Sequence, residues 1–325
     1  MSAPFDLTGK VALVTGASRG LGQYMGRALA RAGADLVITS RSLAQLEPFR
    51  AEVASLGRTA LPVELDVRDY DSIQRAVASA VKHYEKIDIL INNAGLNVRK
   101  PALEITWDEW NLVLDTNLRG EFFVAQAVAR DSMIPRKYGR IINIGSVTSV
   151  FGYAGLTPYC ASRGGVKQMT MSLADDWGKH GITVNCLAPG WFKTSQNAVL
   201  YENKEWLEYI IDRIPMRRPG APQDLDGAVV FLASDASAYF TGQTMLVDGG
   251  ISTGATRATV GELQSTESLQ TPQDPAAGRT AASQDSILRG EEGSALRDQN
   301  GQRVARLQGG RDRERARTQE VSPAD

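Results

Sequence analysis

Val11-Ala12-Leu13-Val14-Thr15-Gly16-Ala17-Ser18-Arg19-Gly20-Leu21-Gly22 is an apolar, β-branched run that passes through three glycines into a stretch of helical spacing, Gly22 to Arg31. Without Cβ atoms the backbone can turn tightly, admit a pyrophosphate at close range and aim helix N-terminal amides at it. A glycine trio alone fits an ordinary turn equally well. Its place between a first strand and a first helix is the dinucleotide-binding arrangement.

The alternation continues along the chain. Short β-rich runs occur at Val11 to Thr15, Leu36 to Thr39, Ala60 to Leu65, Ile87 to Ile91, Arg140 to Ile144, Thr183 to Leu187 and Thr244 to Val247. Between them, Ser72 to His83, Trp107 to Arg130 and Gly164 to Trp177 carry helical spacing, and Pro48 starts or bends a helix after the second run. Strands and helices in this order predict a doubly wound α/β (Rossmann) fold, a parallel sheet covered on both faces.

With 325 residues, 42% of them hydrophobic, the chain can bury a substantial core. A net charge of -1 gives no reason to expect nucleic acid or an anionic membrane as partner. Cys160 and Cys186 are too few for a disulfide framework and lack metal-ligand spacing with His83 or His180, so a reduced, cytoplasmic setting and no metal are expected. No segment offers about 18 consecutive apolar residues. Composition changes near Ser252: no aromatic residue follows Phe240, and every basic residue after Lys204 is arginine. A folded domain over 1–255 and a disordered C-terminal extension over 256–325 are expected, because the latter has too little to bury against its chain entropy.

Where the dinucleotide rule places an acidic residue for the adenosine ribose, the second strand ends in Thr39-Ser40-Arg41-Ser42. Arg41, with Arg19 in the glycine turn, suits a 2′-phosphate, favouring NADP over NAD; a solvated surface charge is the plain alternative. Tyr159 and Arg163 stand four apart, stacked on one face if the stretch is helical. A phenol titrates near pH 10 and needs about 4 kcal/mol of help to act at neutrality. One cation about 4 Å away at an effective dielectric near 20 supplies about that much.

Gly16, Gly20 and Gly22, Asn92-Asn93-Ala94-Gly95, Asn117, Ser146, Tyr159, Pro189-Gly190 and Val247-Asp248-Gly249-Gly250 follow one another in an order that resembles the short-chain dehydrogenase/reductase family, from about Leu7 to Gly250. The resemblance implies a seven-stranded sheet, an oxidoreductase activity and a homotetramer or dimer. It implies that Ser18, Arg19 and Leu21 complete the pyrophosphate turn, and that Ser40 and Arg41 lie at the adenosine ribose. It further implies that Asp66 and Val67 flank the adenine, that Asn93, Ala94 and Gly95 pack beside its ribose, and that Pro189, Gly190 and Thr194 touch the nicotinamide. By the same resemblance Asn117 is expected to hold a water, Ser146 to polarise the substrate carbonyl and Tyr159 to exchange the proton. A lysine is expected where Arg163 stands. Arginine keeps the charge and the ribose donors but has a larger planar head and does not release its proton.

Two functions are therefore open: an active enzyme with Arg163 as electrostatic substitute, or an NADP-binding protein with weak or no catalysis. The segment from Trp191 to Pro219 is rich in charge and aromatic residues and suits a small polar substrate. Ile211-Asp212-Arg213-Ile214-Pro215 with Arg217 and Arg99 is similar to the gluconate 5-dehydrogenase and 2-deoxygluconate 3-dehydrogenase branch. That likeness implies a sugar acid, met by Arg99 or Lys193, with Tyr153 and Trp191 lining the pocket. A 3-oxoacyl carrier-protein reductase shares the same motifs. Trp107, Trp110 and Trp177 are expected in the core or at a subunit contact.

Overall fold

The computed structural model describes residues 4–194 and 198–253. The C-terminal extension expected to be disordered, and its boundary with the folded domain, lie outside the described residues. The chain runs through β1 (Val11–Val14), α1 (Gly20–Arg31), β2 (Asp35–Ser40), α2 (Glu47–Ser55), β3 (Ala60–Glu64), α3 (Tyr70–Tyr84) and β4 (Ile89–Asn92). Then come α4 (Trp107–Leu114), α5 (Gly120–Val128), α6 (Ile134–Arg136), β5 (Gly139–Ile144), α7 (Thr157–Gly178), β6 (Ile182–Pro189), α8 (Lys204–Arg213), α9 (Asp226–Ala233) and β7 (Thr244–Val247). Each anticipated β-rich run is a strand.

The strands form a 7-stranded sheet in the order β3-β2-β1-β4-β5-β6-β7, every pair parallel. Strand alternation splits the core into two halves. Ala12 and Val14 pack with Met25 and Leu29 of α1 and with Val229 and Leu232 of α9 on one face. Val11 and Leu13 pack with Ile73 and Val77 of α3 and with Val124 and Val128 of α5 on the other. Because the chain moves outward from β1 in one direction and returns to β4 on its other side, a crevice opens at the C-terminal ends of β1 and β4.

Local chemistry sets the helix ends. Pro48 lies in the first turn of α2, where its missing N–H is harmless. Asp69 caps α3 by accepting the N–H groups of Asp71 (2.9 Å) and Ser72 (3.2 Å). The stretch from Trp107 onward is helical as expected but interrupted by π-helical turns at Asp115–Arg119 and Ala129–Met133. The first of these carries Asn117 inward, and at its end Gly120 packs so closely that a Cβ would come within 2.6 Å of the Val67 carbonyl oxygen. Trp107 is 79% exposed and Trp110 38%, so neither belongs to the core, whereas Trp177 packs against it. The helical period legible from Gly164 starts earlier, at Thr157 with Pro158 in the first turn, so Tyr159 and Arg163 share α7.

At the opposite, N-terminal end of the sheet, the buried Asp88 carboxylate accepts the Val11 N–H (2.9 Å) and Arg136 Nη1 (2.7 Å) and pairs with Lys86 Nζ (3.2 Å). Asp88→Ala leaves these donors short of acceptors and is expected to lower the unfolding free energy by about 2 kcal/mol. Urea titration followed by circular dichroism reads the change; an unmoved midpoint would mean that Asp88 does not hold β1 to β4.

Candidate active site

Thr15, at the end of β1, joins two turns. Its Oγ1 accepts the N–H groups of Asn93 (2.8 Å) and Ala94 (2.9 Å), while Asn93 Nδ2 donates back to the carbonyls of Thr15 (3.0 Å) and Gly16 (3.2 Å). Gly16 and Gly20 have φ values of 64° and 63°, in the left-handed region open to glycine. At Gly22 a Cβ would run into Asn93 Nδ2 and the Gly16 carbonyl oxygen. Arg19 precedes α1 in an extended conformation and makes no side-chain cap, so the first-turn amides of α1 are not taken by its side chain. Ser18 and Leu21 are half-buried in the same turn. The bare backbone and open helix terminus fit a pyrophosphate.

Ser40 ends β2 and Arg41 follows it. The Ser40 hydroxyl is engaged locally, donating to the Ser42 carbonyl (2.7 Å), while Arg41 and Arg19 are both exposed. Asp66 lies at the end of the neighbouring strand. Burial works against its charge, but hydrogen bonds from Arg68 and the charges of Arg68 and Arg41 hold its carboxyl below the usual range. Val67 is buried against Gly120. Arg19 and Arg41 are thus exposed cations close to the ends of β1 and β2, and Arg41 lies near enough to Asp66 for its charge to act on that carboxyl.

Ser146 follows β5 and is 9% exposed. Its Oγ accepts the Thr148 N–H (3.2 Å), and Ser149 links this loop to α7 by accepting the Ser146 N–H (3.2 Å) and donating to the Arg163 carbonyl (2.8 Å). Tyr159 is half-buried and Arg163 is 4% exposed. The guanidinium carbon lies 5.2 Å from the centroid of the Tyr159 ring, so the i, i+4 pair does stack. Arg163 Nη1 donates to the Ile144 carbonyl (2.7 Å) and to Glu121 Oε1 (2.8 Å). Burial opposes the guanidinium charge, yet Tyr159 and Glu121 together outweigh it and hold its pKa above the ordinary arginine value. Burial pushes the Glu121 carboxyl up to about 8, against the pull of Arg163.

Asn117 is fully buried and spends its amide on the protein. Its Oδ1 accepts the Leu96 N–H (2.9 Å), and Nδ2 donates to the Leu96 carbonyl (2.8 Å) and to Ser162 Oγ (3.2 Å). This clamp holds Gly95 against Arg163 so closely that a Cβ there would collide with Nη2.

Pro189 and Gly190 close β6, with the Gly190 N–H donated to the Val247 carbonyl (2.9 Å). Beyond them the rings of Tyr153 and Trp206 each meet Trp191 edge-on at 5.3 Å, and Tyr201 meets Trp206 at 5.4 Å. Arg99 lies 5.5 Å from the Tyr153 centroid. Trp191 Nε1 and Tyr201 Oη are buried without a hydrogen-bond partner among the described residues, and burial pushes the Tyr201 phenol up to about 12. Lys193 is exposed and Thr194 half-buried on the same segment. Asp212 pairs with Arg217, and Arg213 lies over Tyr209, contacts internal to this cover.

The sequence does not single out Glu121 as a site residue, and it marks Tyr201 and Trp206 only as members of the segment from Trp191 to Pro219. Glu121 had a visible signal, a carboxylate directly before the apolar run Phe122-Phe123-Val124-Ala125 and four residues after Asn117. The aromatic richness of the segment after β6 was visible, but not its closure on Tyr153, which comes from the loop before α7.

A family profile described as "Enoyl-(Acyl carrier protein) reductase" matches residues 16–252. The chain is 43% identical over 253 residues to gluconate 5-dehydrogenase of Gluconobacter oxydans (strain 621H), covering 77% of this chain and 98% of that one. It is 42% identical over 248 residues to 2-dehydro-3-deoxy-D-gluconate 5-dehydrogenase of Escherichia coli (strain K12), covering 76% and 96%. The crystal structure of a gluconate 5-dehydrogenase from Burkholderia cenocepacia J2315 in complex with NADP and tartrate matches with a TM-score of 0.75 at 39% identity, over 77% of this chain and 98% of that chain. With its glycine turn, its Ser146 and Tyr159 motifs and these relatives spanning the same residues, the chain belongs to the short-chain dehydrogenase/reductase family.

Proposed function

We propose that the protein is an NADP(H)-dependent oxidoreductase that interconverts a ketone and a secondary alcohol on a sugar acid, with Tyr159 as acid and base. The observation that carries this reading is the buried Arg163 guanidinium stacked at 5.2 Å on Tyr159 and anchored on Ile144 and Glu121. A cation is thus present where the expected lysine would stand. The relatives above are named for gluconate-type substrates, and one was solved with NADP and tartrate.

Gly16, Ser18, Gly20, Leu21 and Gly22 would hold the pyrophosphate, Arg19, Ser40 and Arg41 the 2′-phosphate, and Asp66, Val67, Asn93 and Ala94 the adenosine. Gly95, Arg163, Pro189, Gly190 and Thr194 would surround the nicotinamide end. When bound, the nicotinamide supplies or takes up the hydride. Ser146 uses its oxygen to accept the Thr148 N–H, leaving its own proton to donate to the substrate carbonyl oxygen. In reduction Tyr159 delivers a proton to that oxygen as negative charge develops; in oxidation the tyrosinate removes it. Arg163 favours the tyrosinate by charge. Asn117 acts on this site through Leu96, fixing the backbone beside Arg163.

Arg99 beside Tyr153 supplies a guanidinium for the substrate carboxylate, with Lys193 as a second cation on the cover. Trp191 Nε1 and Tyr201 Oη add donors among apolar rings, a mixture that suits a polyhydroxy chain. The exposed Leu103 just before α4, Trp107 on α4 and Met171 on α7 favour burial in a homo-oligomer, a tetramer or dimer.

NADPH consumption by the wild type is expected with 5-keto-D-gluconate and to be at least tenfold less efficient with acetoacetyl thioesters. The reverse preference would favour a 3-oxoacyl reductase. Tyr159→Phe is expected to lower kcat by about 1,000-fold with NADPH affinity within about threefold, as loss of a proton donor should. Arg41→Asp is expected to raise the KM for NADPH by about 30-fold while changing that for NADH less than threefold. Equal effects on the two cofactors would place Arg41 away from a 2′-phosphate.

A further inference from the structure

We propose that Glu121 is a positioning residue for Arg163: its carboxyl sets the plane of the guanidinium so that Nη2 faces the cleft beside Gly95. The inference rests on the reading that Arg163 serves Tyr159 and the nicotinamide end of the cofactor.

Arg163 Nη1 has two N–H groups, and both are taken, one by the Ile144 carbonyl at 2.7 Å and one by Glu121 Oε1 at 2.8 Å. Two acceptors on one nitrogen define the orientation of a planar group. Nη2 is left pointing at Gly95, at a distance only a glycine tolerates. A guanidinium reaches further than an ammonium and is rigid, so it occupies a lysine's place only if something holds its plane; the Ile144 carbonyl alone leaves a swing about one bond. Glu121 removes that freedom.

The carboxyl itself stands on a fixed base. The Glu121 carbonyl accepts Asn92 Nδ2 (3.0 Å), which also donates to Asn143 Oδ1 (3.0 Å), and Asn143 Nδ2 donates to Thr170 Oγ1 (3.0 Å). Helix α5 is thereby tied to β4, β5 and α7, the elements that carry the rest of the site. Stability gives little reason for such a residue. Glu121 is 2% exposed and its Oε2 has no hydrogen-bond partner among the described residues, an arrangement that generally costs more than a well-packed apolar side chain. Its contact with Arg163 is the one charge pairing of this carboxyl among the described residues. Cys186 also lies within its field, burial pushing that thiol up to about 12 with Glu121 adding to the rise. A costly carboxyl aimed at a single guanidinium is accounted for by what it does to that guanidinium.

The test is a set of substitutions at 121 made with arginine at 163 and again in the Arg163→Lys protein, read by NADPH fluorescence and, where turnover occurs, by kcat. Glu121→Gln keeps an acceptor in the same place and is expected to change NADPH affinity less than about threefold. Glu121→Asp draws the acceptor back by one methylene and is expected to weaken it about tenfold. In the Arg163→Lys background, which has no guanidinium to orient, Glu121→Asp is expected to change affinity less than about threefold. Equal losses for Gln and Asp, or the same loss for Asp in both backgrounds, would overturn the inference, since a merely structural carboxyl would behave in that way. If Glu121→Asp fails to fold by circular dichroism, Glu121→Met, which keeps length and lacks an acceptor, takes its place with the same expected and overturning results. Fluorescence needs no substrate, so inactivity on keto acids with this binding pattern intact would count against the substrate reading and not against Glu121.

Discussion

A guanidinium removed from water must meet acceptors inside the protein, and around Arg163 the neighbouring elements are arranged to provide them. β5 offers the Ile144 carbonyl, α5 offers Glu121, and the first turn of α7 offers the face of the Tyr159 ring. Each acceptor comes from a different element, so the charge acts as a joint between them. The loop bearing Ser146 is fastened to the same point through Ser149 and the Arg163 carbonyl. Losing the cation would leave a buried carboxyl unpaired and loosen the alignment of the serine with the tyrosine.

The parallel sheet determines which groups can meet in this way. All strands point their carboxyl ends toward one edge, so Thr15, Arg41, Asp66, Asn93, Ser146 and Pro189, each at or just beyond a strand end, line a single crevice. Thr15 and Asn93 lock the two turns on either side of the switch point, and glycines at 16, 20 and 22 keep side-chain atoms out of that space. The aromatic cover is made by Trp191, Tyr201 and Trp206 beyond β6 and by Tyr153 from the loop before α7, outside the sheet itself. In the proposed function, cofactor binding and proton transfer fall to the scaffold and substrate choice to the cover.

The fold was legible because buried parallel strands must be continuous apolar runs, and these stand out in the chain. Helix starts were harder. α7 begins seven residues before its periodicity is visible, since Thr157-Pro158-Tyr159 carries first-turn chemistry rather than an apolar stripe. Trp107 and Trp110 read as core or subunit contact from their spacing; their exposure removes the first alternative, because spacing shows which residues share a face and not what that face meets. Positions 15 to 22, 146 and 159 could be read from local motifs. Glu121 shows only as a carboxylate beside an apolar run, and the Tyr201–Trp206 contact not at all, because their significance comes from a partner more than 40 positions away or from a fold-back of the cover. The arginine at 163 looked like an isolated exception in sequence; in space it is half of a pair.

In the proposed function this pair supplies a working cation to Tyr159. The most direct measurement is NADPH consumption with 5-keto-D-gluconate by the wild type beside Arg163→Lys. The account predicts turnover by the wild type, with the lysine variant no faster, because Glu121 is shaped for a guanidinium. An inert wild type that gains turnover on Arg163→Lys would contradict it.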